Sequence, residues 1–330
     1  MRNCITIDHQ MNQHIEHNLQ IPMAMAGQRL DVVLAQLLPE YSRARLQQWV
    51  KQSQVTVDEA VVTNKFKVQG GEQVAIRARL QQETLWQGRD INIELIYEDE
   101  DILVVNKAPG QVVHPAAGHH DDTLVNALLN RYPQLSTVPR AGIVHRLDKD
   151  TSGLLVVAKS LQAHNSLVAQ LQARSVHREY YALVTGVLVA GGTVDAPIGR
   201  HPKQRKKMAV LSTGKEARTH YRIAQKFRMH TLLKVSLETG RTHQIRVHLA
   251  YVRFPIVGDP AYGQRLLVPP RASEELVCRL RNFKRQALHA FHLELTHPVS
   301  SAPMSWEIPM AMDLQNLVEA LNQDTLRSSG

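Results

Sequence analysis

The stretch that most constrains this 330-residue chain is the junction at residues 142–159. His145, Arg146, Asp148, Lys149, Asp150, Thr151 and Ser152 crowd together there, and the apolar run GLLVVAK (153–159) follows with no spacer. That run reads as a buried strand, and strand-like apolar residues also precede the polar group. The charges therefore lie in a sharp loop between two buried strands, where a rigid scaffold can position side chains for chemistry. Asp148, framed by Arg146 and Lys149, is the candidate base or nucleophile. Taken alone, the same residues also suit a turn in which Asp and Gly do structural work.

Around that loop the chain divides into unequal parts. Residues 1–26 are polar, rich in Gln, Asn, His and Met, and aperiodic, so a disordered tail is expected. From Gly27 onward, Leu30, Val33, Leu34, Leu37 and Leu38 fall on one helix face, and Pro39 ends that helix. Ser42 is a suitable cap for a second short helix, with Leu46, Trp49 and Val50 on one side and Arg43, Arg45 and Lys51 on the other. VTVDEAVV reads as a hairpin turning at Asp58-Glu59, and an alternating strand through Val74 and Ile76 completes a small α/β domain over 27–88. A Gln/Glu-rich connector and the acidic patch from Glu94 to Asp101 lead into a second domain, expected over 89–320, with a tail at 321–330. There ILVVN (102–106) and QVVH (111–114) read as strands, Thr123 as a helix cap, 161–173 as a helix, and EYYALVTG, LLKVSLETG and FHLELTHP as further strands. No regular βαβ period appears, so the class expected is α+β with a mixed, mainly antiparallel sheet.

Charge narrows the partner. Lys+Arg 39 against Asp+Glu 30 gives a net charge of +9, which favours a polyanion, nucleic acid ahead of a membrane surface. Residues 200–230 hold Arg200, Lys203, Arg205, Lys206, Lys207, Lys215, Arg218, Arg222, Lys226 and Arg228 against one acid, Glu216. The run reads either as a solvated face or as a surface that tracks phosphates. Two distant cysteines, Cys4 and Cys278, exclude a disulfide scaffold, a thiolate zinc module and an iron–sulfur cluster. No apolar run approaches the ~18 residues of a membrane span, and no signal peptide is recognisable, so a cytoplasmic protein is expected.

A second polar segment runs from Leu237 to His248, with a strand ending at Thr239-Gly240 and a helix beginning near Thr242. Helical spacing puts Gln244 and His248 on one stripe and Arg246 on another, while Ile245, Leu249 and Val252 face inward. His243 and His248 lack the i, i+4 spacing of a helical zinc site, and His119-His120-Asp121-Asp122 are consecutive, so no metal is expected. No phosphate-binding glycine loop is present, and no nucleotide cofactor is implied.

With those segments in hand, GIVHRLDKDTSGLLVVAKS closely resembles the signature of the RluA/RluD family of pseudouridine synthases. HREYYALVTG, LETGRTHQIRVHLA, PIVGDPAYG and RQALHAFHLELTHP match further family stretches in the same order, so the likeness runs from about Gly27 to Pro309. The N-terminal unit resembles the αL-type RNA-binding module that often precedes this catalytic domain. One departure is Phe254-Pro255, where relatives usually carry His-Pro.

The resemblance implies an RNA isomerase that detaches uracil from ribose carbon 1, rotates it and rejoins it through ring carbon 5, with no cofactor. Nearest are the family's large-subunit rRNA enzymes, which implies 23S rRNA as partner and its 1911/1915/1917 uridine cluster as target. By motif, Asp148 is the catalytic aspartate, Arg246 the arginine that pairs with it, and Tyr180 the tyrosine expected to stack on the uracil. Arg146 matches the residue that fills the space left by the flipped base, an extrusion that costs a few kcal/mol. Leu288 is a candidate pocket wall and His145 a candidate phosphate contact. Arg43, Arg45, Lys203, Arg205, Lys206 and Lys207 are candidate RNA-backbone contacts on two surfaces. Attack by Asp148 on the sugar, attack on the base, and removal of a sugar proton to give a glycal all stay open. A monomer is expected, and a non-catalytic rRNA-binding assembly factor is the alternative reading.

Overall fold

The computed structural model describes residues 14–38, 41, 43–79, 86–115, 121–204 and 206–329. Pro39, Ser42, His119, His120 and Arg205, all singled out above, lie outside the described residues, as do residues 1–13 of the N-terminal stretch. Two separate sheets, each with its own apolar core, organise the chain.

The N-terminal unit contains β1 (His14–Gln20), α1 (Leu30–Leu37), α2 (Arg43–Lys51), β2 (Val55–Val57), β3 (Ala60–Val61) and β4 (Gln73–Arg79). Its sheet runs in the order β1-β4-β2-β3. Leu30, Val33 and Leu34 of α1 meet Leu46, Trp49 and Val50 of α2 over Val55, Val57, Val74 and Ile76. At the β2–β3 turn Asp58 and Glu59 both take positive φ, 46° and 66°, the backbone twist a two-residue hairpin needs.

The tail expected over residues 1–26 is corrected for its described part. Residues 14–20 form a strand pairing antiparallel with β4, from His14↔Arg79 to Gln20↔Gln73. Its inward positions are Ile15, His17 and Leu19, and the His17 ring shares a 3.0 Å hydrogen bond with the Tyr41 hydroxyl. A histidine on the buried side hid the two-residue period.

The larger unit contains β5 (Glu94–Glu98), β6 (Ile102–Lys107), α3 (Leu124–Arg131), β7 (Ser152–Ala158), α4 (Leu161–Gln172), β8 (His177–Thr185), β9 (Gly192–Asp195), β10 (Ile198–Arg200), β11 (Met208–Val210), β12 (Arg218–Lys226), β13 (His230–Leu237), α5 (Gln244–Tyr251), α6 (Glu274–Asn282), β14 (Leu288–Thr296), β15 (Pro303–Glu307) and α7 (Met312–Ser329). Nine strands form one sheet in the order β5-β6-β7-β14-β8-β13-β12-β9, with β15 beside β14, while β10 and β11 make a separate hairpin. Among the described residues only β7 and β14 pair in parallel, so the sheet is mixed and mainly antiparallel, in an α+β fold.

Three further expectations are corrected. QVVH (111–114) is loop, because the carbonyls of Val112 and Val113 accept the amides of Leu124 and Val125 at the start of α3. The segment before the polar loop is a tight turn with Arg140 and Ala141 at φ 55° and 51°, touching the sheet through one bridge from Ile143 to Val157. Residues 321–329 are helix rather than tail, since Leu314, Leu317, Ala320 and Leu321 bury one face of α7 in the main core. Thr123 caps α3 as expected, reciprocally with Asn126. No described helix is long and apolar enough to cross a membrane.

The parallel pair at the sheet's centre positions the polar loop. Ser152 and Gly153 open β7 directly opposite His289 and Ala290 of β14, so the loop ends against the middle of the sheet. Gly153 sits at φ +116°, and a Cβ there would lie 2.1 Å from the Ala290 carbonyl oxygen. Gly153→Ala is expected to cost about 2–4 kcal/mol, through left-handed strain and overpacking against backbone. A urea midpoint equal to that of the wild type would show that the crossing tolerates a side chain.

Candidate active site

The loop from Ile143 to Thr151 is pinned from below by a buried cation. Lys107, 1% exposed at the end of β6, donates from Nζ to the carbonyls of Ala108, Gln111 and Lys149 at 2.8, 2.9 and 2.9 Å. Burial pushes its ammonium down to about 7, against the opposing charges of Asp150 and Asp148. Gln286 adds a hydrogen bond from Nε2 to the Thr151 hydroxyl, and the Thr151 amide closes a turn on the Asp148 carbonyl. His145 also works for the loop: its Nε2 accepts the Val156 amide of β7 at 3.1 Å. Burial, reinforced by Arg178, drives its pKa to about 3. The neutral ring brings no positive charge to the cleft, and its Nδ1 has no hydrogen-bond partner among the described residues.

Opposite the loop stands α5. Its two polar stripes diverge as their spacing requires. Gln244 donates to the Arg218 carbonyl and the Thr219 hydroxyl, and His248 donates from Nε2 to the Ala196 carbonyl, so this stripe braces β12 and the strand end before β10. The other stripe carries Arg246, whose Nη1 donates to Asp148 Oδ2 at 2.9 Å. The remaining edge of the guanidinium grips Asp259 with Nε and Nη2, at 2.7 and 2.9 Å. Asp259 in turn accepts the amides of Ala261 and Tyr262. Burial alone would lower the Arg246 pKa; hydrogen bonds and charge from Asp259, then Asp148, outweigh it and raise the pKa. For Asp259 burial works upward, and Arg246 with the two amides pulls the pKa down.

Asp148, Arg246, Tyr180, Arg146 and Leu288 line one cleft of about 590 Å³. Tyr180 and Ala290 are register partners, and Leu288, two residues before Ala290, shares their face. Burial raises the phenol of Tyr180, with Arg178 lowering and Asp148 raising it. Tyr181 turns the other way, stacked on Phe291 with ring centroids 4.0 Å apart.

Several lining residues carried no expectation. Arg140, Arg174, Arg178 and Arg241 join Arg146 and Arg246, so six arginines face two carboxylates, Asp148 and Glu238. His243 caps α5 in the left-handed region at φ 58°, with Nδ1 sharing a 2.8 Å hydrogen bond with the Tyr262 hydroxyl and Nε2 3.9 Å from Asp148 Oδ1. A strained cap of this kind at a cleft marks a side chain held for geometry. Arg178 was within reach of the sequence, since it lies two residues before Tyr180 and therefore on the same strand face. Asp259 sits in a loop without periodicity, and its one sequence signal is the family-like stretch PIVGDPAYG.

The expected RNA-backbone residues do not gather at the cleft. Arg43 donates to Asp31 at 2.7 and 3.1 Å, and Arg45 is only 7% exposed, so the α2 face is less free than its sequence suggests. Lys203 and Lys206 are exposed on the β10–β11 hairpin and Lys207 is half-buried there. Further along the basic run, Arg218 pairs with Asp195 and Glu238, and Arg228 with Asp324, so the run is not one continuous surface. Among described residues one acid–histidine group, Asp99, Asp101 and His297, has metal-like proximity. Its imidazole is already committed, with Nδ1 taking the amides of Val299 and Ser300 and Nε2 on Asp99 at 3.0 Å.

Comparison with known proteins places this cleft. The family profile for RNA pseudouridylate synthase matches residues 101–251, and that for the S4 domain matches 28–74. A ribosomal large subunit pseudouridine synthase D from Pseudomonas aeruginosa is 55% identical over 314 residues, covering 95% of this chain and 98% of that protein. Its namesake from Xanthomonas campestris pv. campestris is 53% identical over 309 residues, covering 94% of this chain and 93% of that protein. The Escherichia coli (strain K12) protein of that name is 50% identical over 315 residues, with 95% and 97% covered. Among solved structures, human RNA pseudouridylate synthase domain containing 1 aligns with a TM-score of 0.52 at 26% identity, over 72% of this chain and 98% of that one. Human RNA pseudouridylate synthase domain containing 4 shares the fold, with a TM-score of 0.55 at 23% identity over 69% and 93%. The chain belongs to the RNA pseudouridylate synthase family and carries an N-terminal S4 domain.

The site's histidines dictate a pH response. Burial lowers His114 to about 4 and His145 to about 3, and in the core it lowers His230 and His289 to about 4. Well above pH 6.5 these rings are neutral both folded and unfolded, so they contribute no slope. Below it the unfolded chain takes up protons that the folded chain refuses, and stability falls. Each histidine adds about 1.4 kcal/mol per pH unit between its folded value and about 6.5. The urea midpoint is expected to drop markedly from pH 7 to pH 5; equal midpoints would mean the rings are charged in the fold.

Proposed function

We propose that the chain isomerises uridine to pseudouridine in the RNA of the large ribosomal subunit, acting in the cytoplasm. The observation that carries this is Asp148 held at 2.9 Å by Arg246, in a cleft shared with Tyr180 and lined by six arginines. The isomerisation breaks the C1′–N1 bond of uridine and forms C1′–C5; the C5 proton is released and N1 takes one up, so the atoms balance without a cofactor. Asp148 is the group presented to the ribose–base junction, and Arg246 keeps its carboxylate oriented. Tyr180 lies under the uracil, its buried phenol protonated at neutral pH. Arg146, exposed at the rim, is placed to occupy the stack that the flipped base leaves. Leu288 closes the apolar side. Close likeness to large-subunit enzymes over nearly the full chain supports rRNA as substrate, and the family resemblance supports the 1911/1915/1917 uridines of 23S rRNA as targets. A purely RNA-binding assembly factor would need basic surfaces but no arginine fork fixed on a carboxylate.

Pseudouridine mapping of large-subunit rRNA tests the reading. Cells lacking the protein are expected to lose modification at 1911, 1915 and 1917, and wild type but not Asp148→Ala is expected to restore it. Restoration by Asp148→Ala refutes the catalytic assignment, and an unchanged map in the deletion refutes the substrate.

The N-terminal unit is proposed to hold the RNA backbone rather than to read bases. Removing residues 1–80 is expected to raise the rRNA Kd at least tenfold and to flatten its salt dependence, with a smaller effect on single-turnover rate at saturating RNA. Unchanged affinity would remove that role.

A further inference from the structure

Arg178 is the one cleft arginine that is buried with no ion pair among the described residues; Arg140 and Arg146 stand in solvent. Its side chain lies at the start of β8 with 8% of the residue exposed. Its Nε has no hydrogen-bond partner, and no carboxylate pairs with it among the described residues. The other cleft arginines nearby are occupied: Arg174 reaches Glu216 and Glu238, and Arg241 donates to the Glu216 carbonyl. The remaining carboxylate of this part of the cleft, Glu238, is shared between His220, Arg218 and Arg174. Burying a cation without a partner is costly, and a fold keeps such a group when a ligand completes it.

Two features aim Arg178 into the cleft. It shares a strand face with Tyr180, two residues on, and both line the cavity. Gly240, also in the lining, lets the guanidinium approach: a Cβ on Gly240 would lie 3.0 Å from Arg178 Nη1. Residues two apart on a strand are spaced by about 6.6 Å. That span is of the order of the distance from the middle of a nucleotide's base to its own phosphate.

We propose that Arg178 is the receptor for a phosphodiester next to the flipped uridine, so that Tyr180 and Arg178 measure one nucleotide, base on one and phosphate on the other. This rests on the isomerase reading above, which puts the uracil over Tyr180. The phosphate accepts hydrogen bonds from the guanidinium fork, and Gly240 keeps the space the fork occupies. Arg178 thus selects a polynucleotide whose backbone is already bent out, and a free base or nucleoside leaves the cation unanswered.

The test is a cycle between the protein and single backbone substitutions, read by single-turnover pseudouridine formation on an rRNA stem-loop. A neutral methylphosphonate is placed at the phosphate on either side of the target uridine. In wild type, one of the two positions is expected to lower kcat/KM by 10-fold or more. Arg178→Met is expected to show a comparable loss on natural RNA and no further loss with the methylphosphonate, and its salt slope for binding should fall by about 0.7–0.9. Arg178→Lys should keep part of the activity and part of the methylphosphonate effect, and Gly240→Ala, which displaces the fork without removing it, should show a smaller loss than Arg178→Met. Full additivity of the protein and backbone changes at both positions overturns the proposal, as does wild-type activity in Arg178→Met. Absence of pseudouridine with wild-type protein would instead overturn the isomerase reading.

Discussion

The arginine fork of Arg246 is the contact on which the site's geometry depends. Two of its three donor nitrogens are taken by Asp259, whose carboxylate is fully buried and also receives two backbone amides. That grip fixes the guanidinium plane, and the Tyr262 ring lies against it at 5.1 Å. The third nitrogen, Nη1, is left over, and it donates to Asp148. The carboxylate of Asp148 is therefore oriented by a group that cannot turn to follow it. A lysine in place of Arg246 would carry the same charge without the second edge, and the two acids would compete for one point donor. Removing either acid would leave a buried cation half-answered, which is far more damaging than replacing the whole set by apolar groups.

Fixing one side of that pair is useful only if the loop opposite is equally fixed, and the chain solves this with backbone rather than side-chain contacts. Lys107 binds three carbonyls from two segments distant in sequence, one of them Lys149 beside Asp148. The number of acceptors equals the number of N–H groups on an ammonium. His145 pins the other flank of the loop to β7, and Gly153 lets β7 start with its backbone against Ala290. The parallel pairing of β7 with β14, alone in an antiparallel sheet, then brings the loop, the start of β14 with Leu288, and Tyr180 on β8 to one place. Loop and strand face are placed by the same crossing.

How much of this was legible follows from what each residue's neighbours in sequence reveal. Periodic segments such as GLLVVAK or the Leu30–Leu38 face were readable because a repeat of two or 3.6 projects directly onto burial. β1 was not, since His17 takes an inward position by bonding Tyr41, and a polar residue on the core side erases the period. QVVH has strand composition, but its carbonyls serve α3 instead of a neighbouring strand, a choice fixed only by tertiary placement. Asp148, Tyr180 and Arg246 came from motif likeness, and the cleft indeed brings them together. Asp259 stands in the family-like stretch PIVGDPAYG, but likeness marks a stretch without giving its partner, and Asp259 acts across a loop through one arginine. The N-terminal face misled because charge on a helix says nothing about pairing. Asp31, with no side-chain exposure, gathers Arg29, Arg43 and Gln47, so part of that positive face holds the fold together.

The net charge of +9 resolves into groups that act at different ranges. Lys203 and Lys206 stand in solvent on the β10–β11 hairpin, where ionic screening extends over about 8 Å at physiological salt. Charges so placed act at long range, on encounter and on salt dependence, rather than on register. The six cleft arginines sit between low-dielectric walls that concentrate their field, and they keep their effect at short range. Five of those six have protein partners or an exposed position: Arg246 on its two acids, Arg174 on Glu216 and Glu238, Arg241 on a carbonyl, and Arg140 and Arg146 in solvent. Arg178 has neither. An excess of positive charge spread evenly would bind any polyanion and orient none. Here most of the excess is either screened outside or cancelled inside, and what survives uncancelled stands beside Tyr180, where a single phosphate can decide which nucleotide is seated.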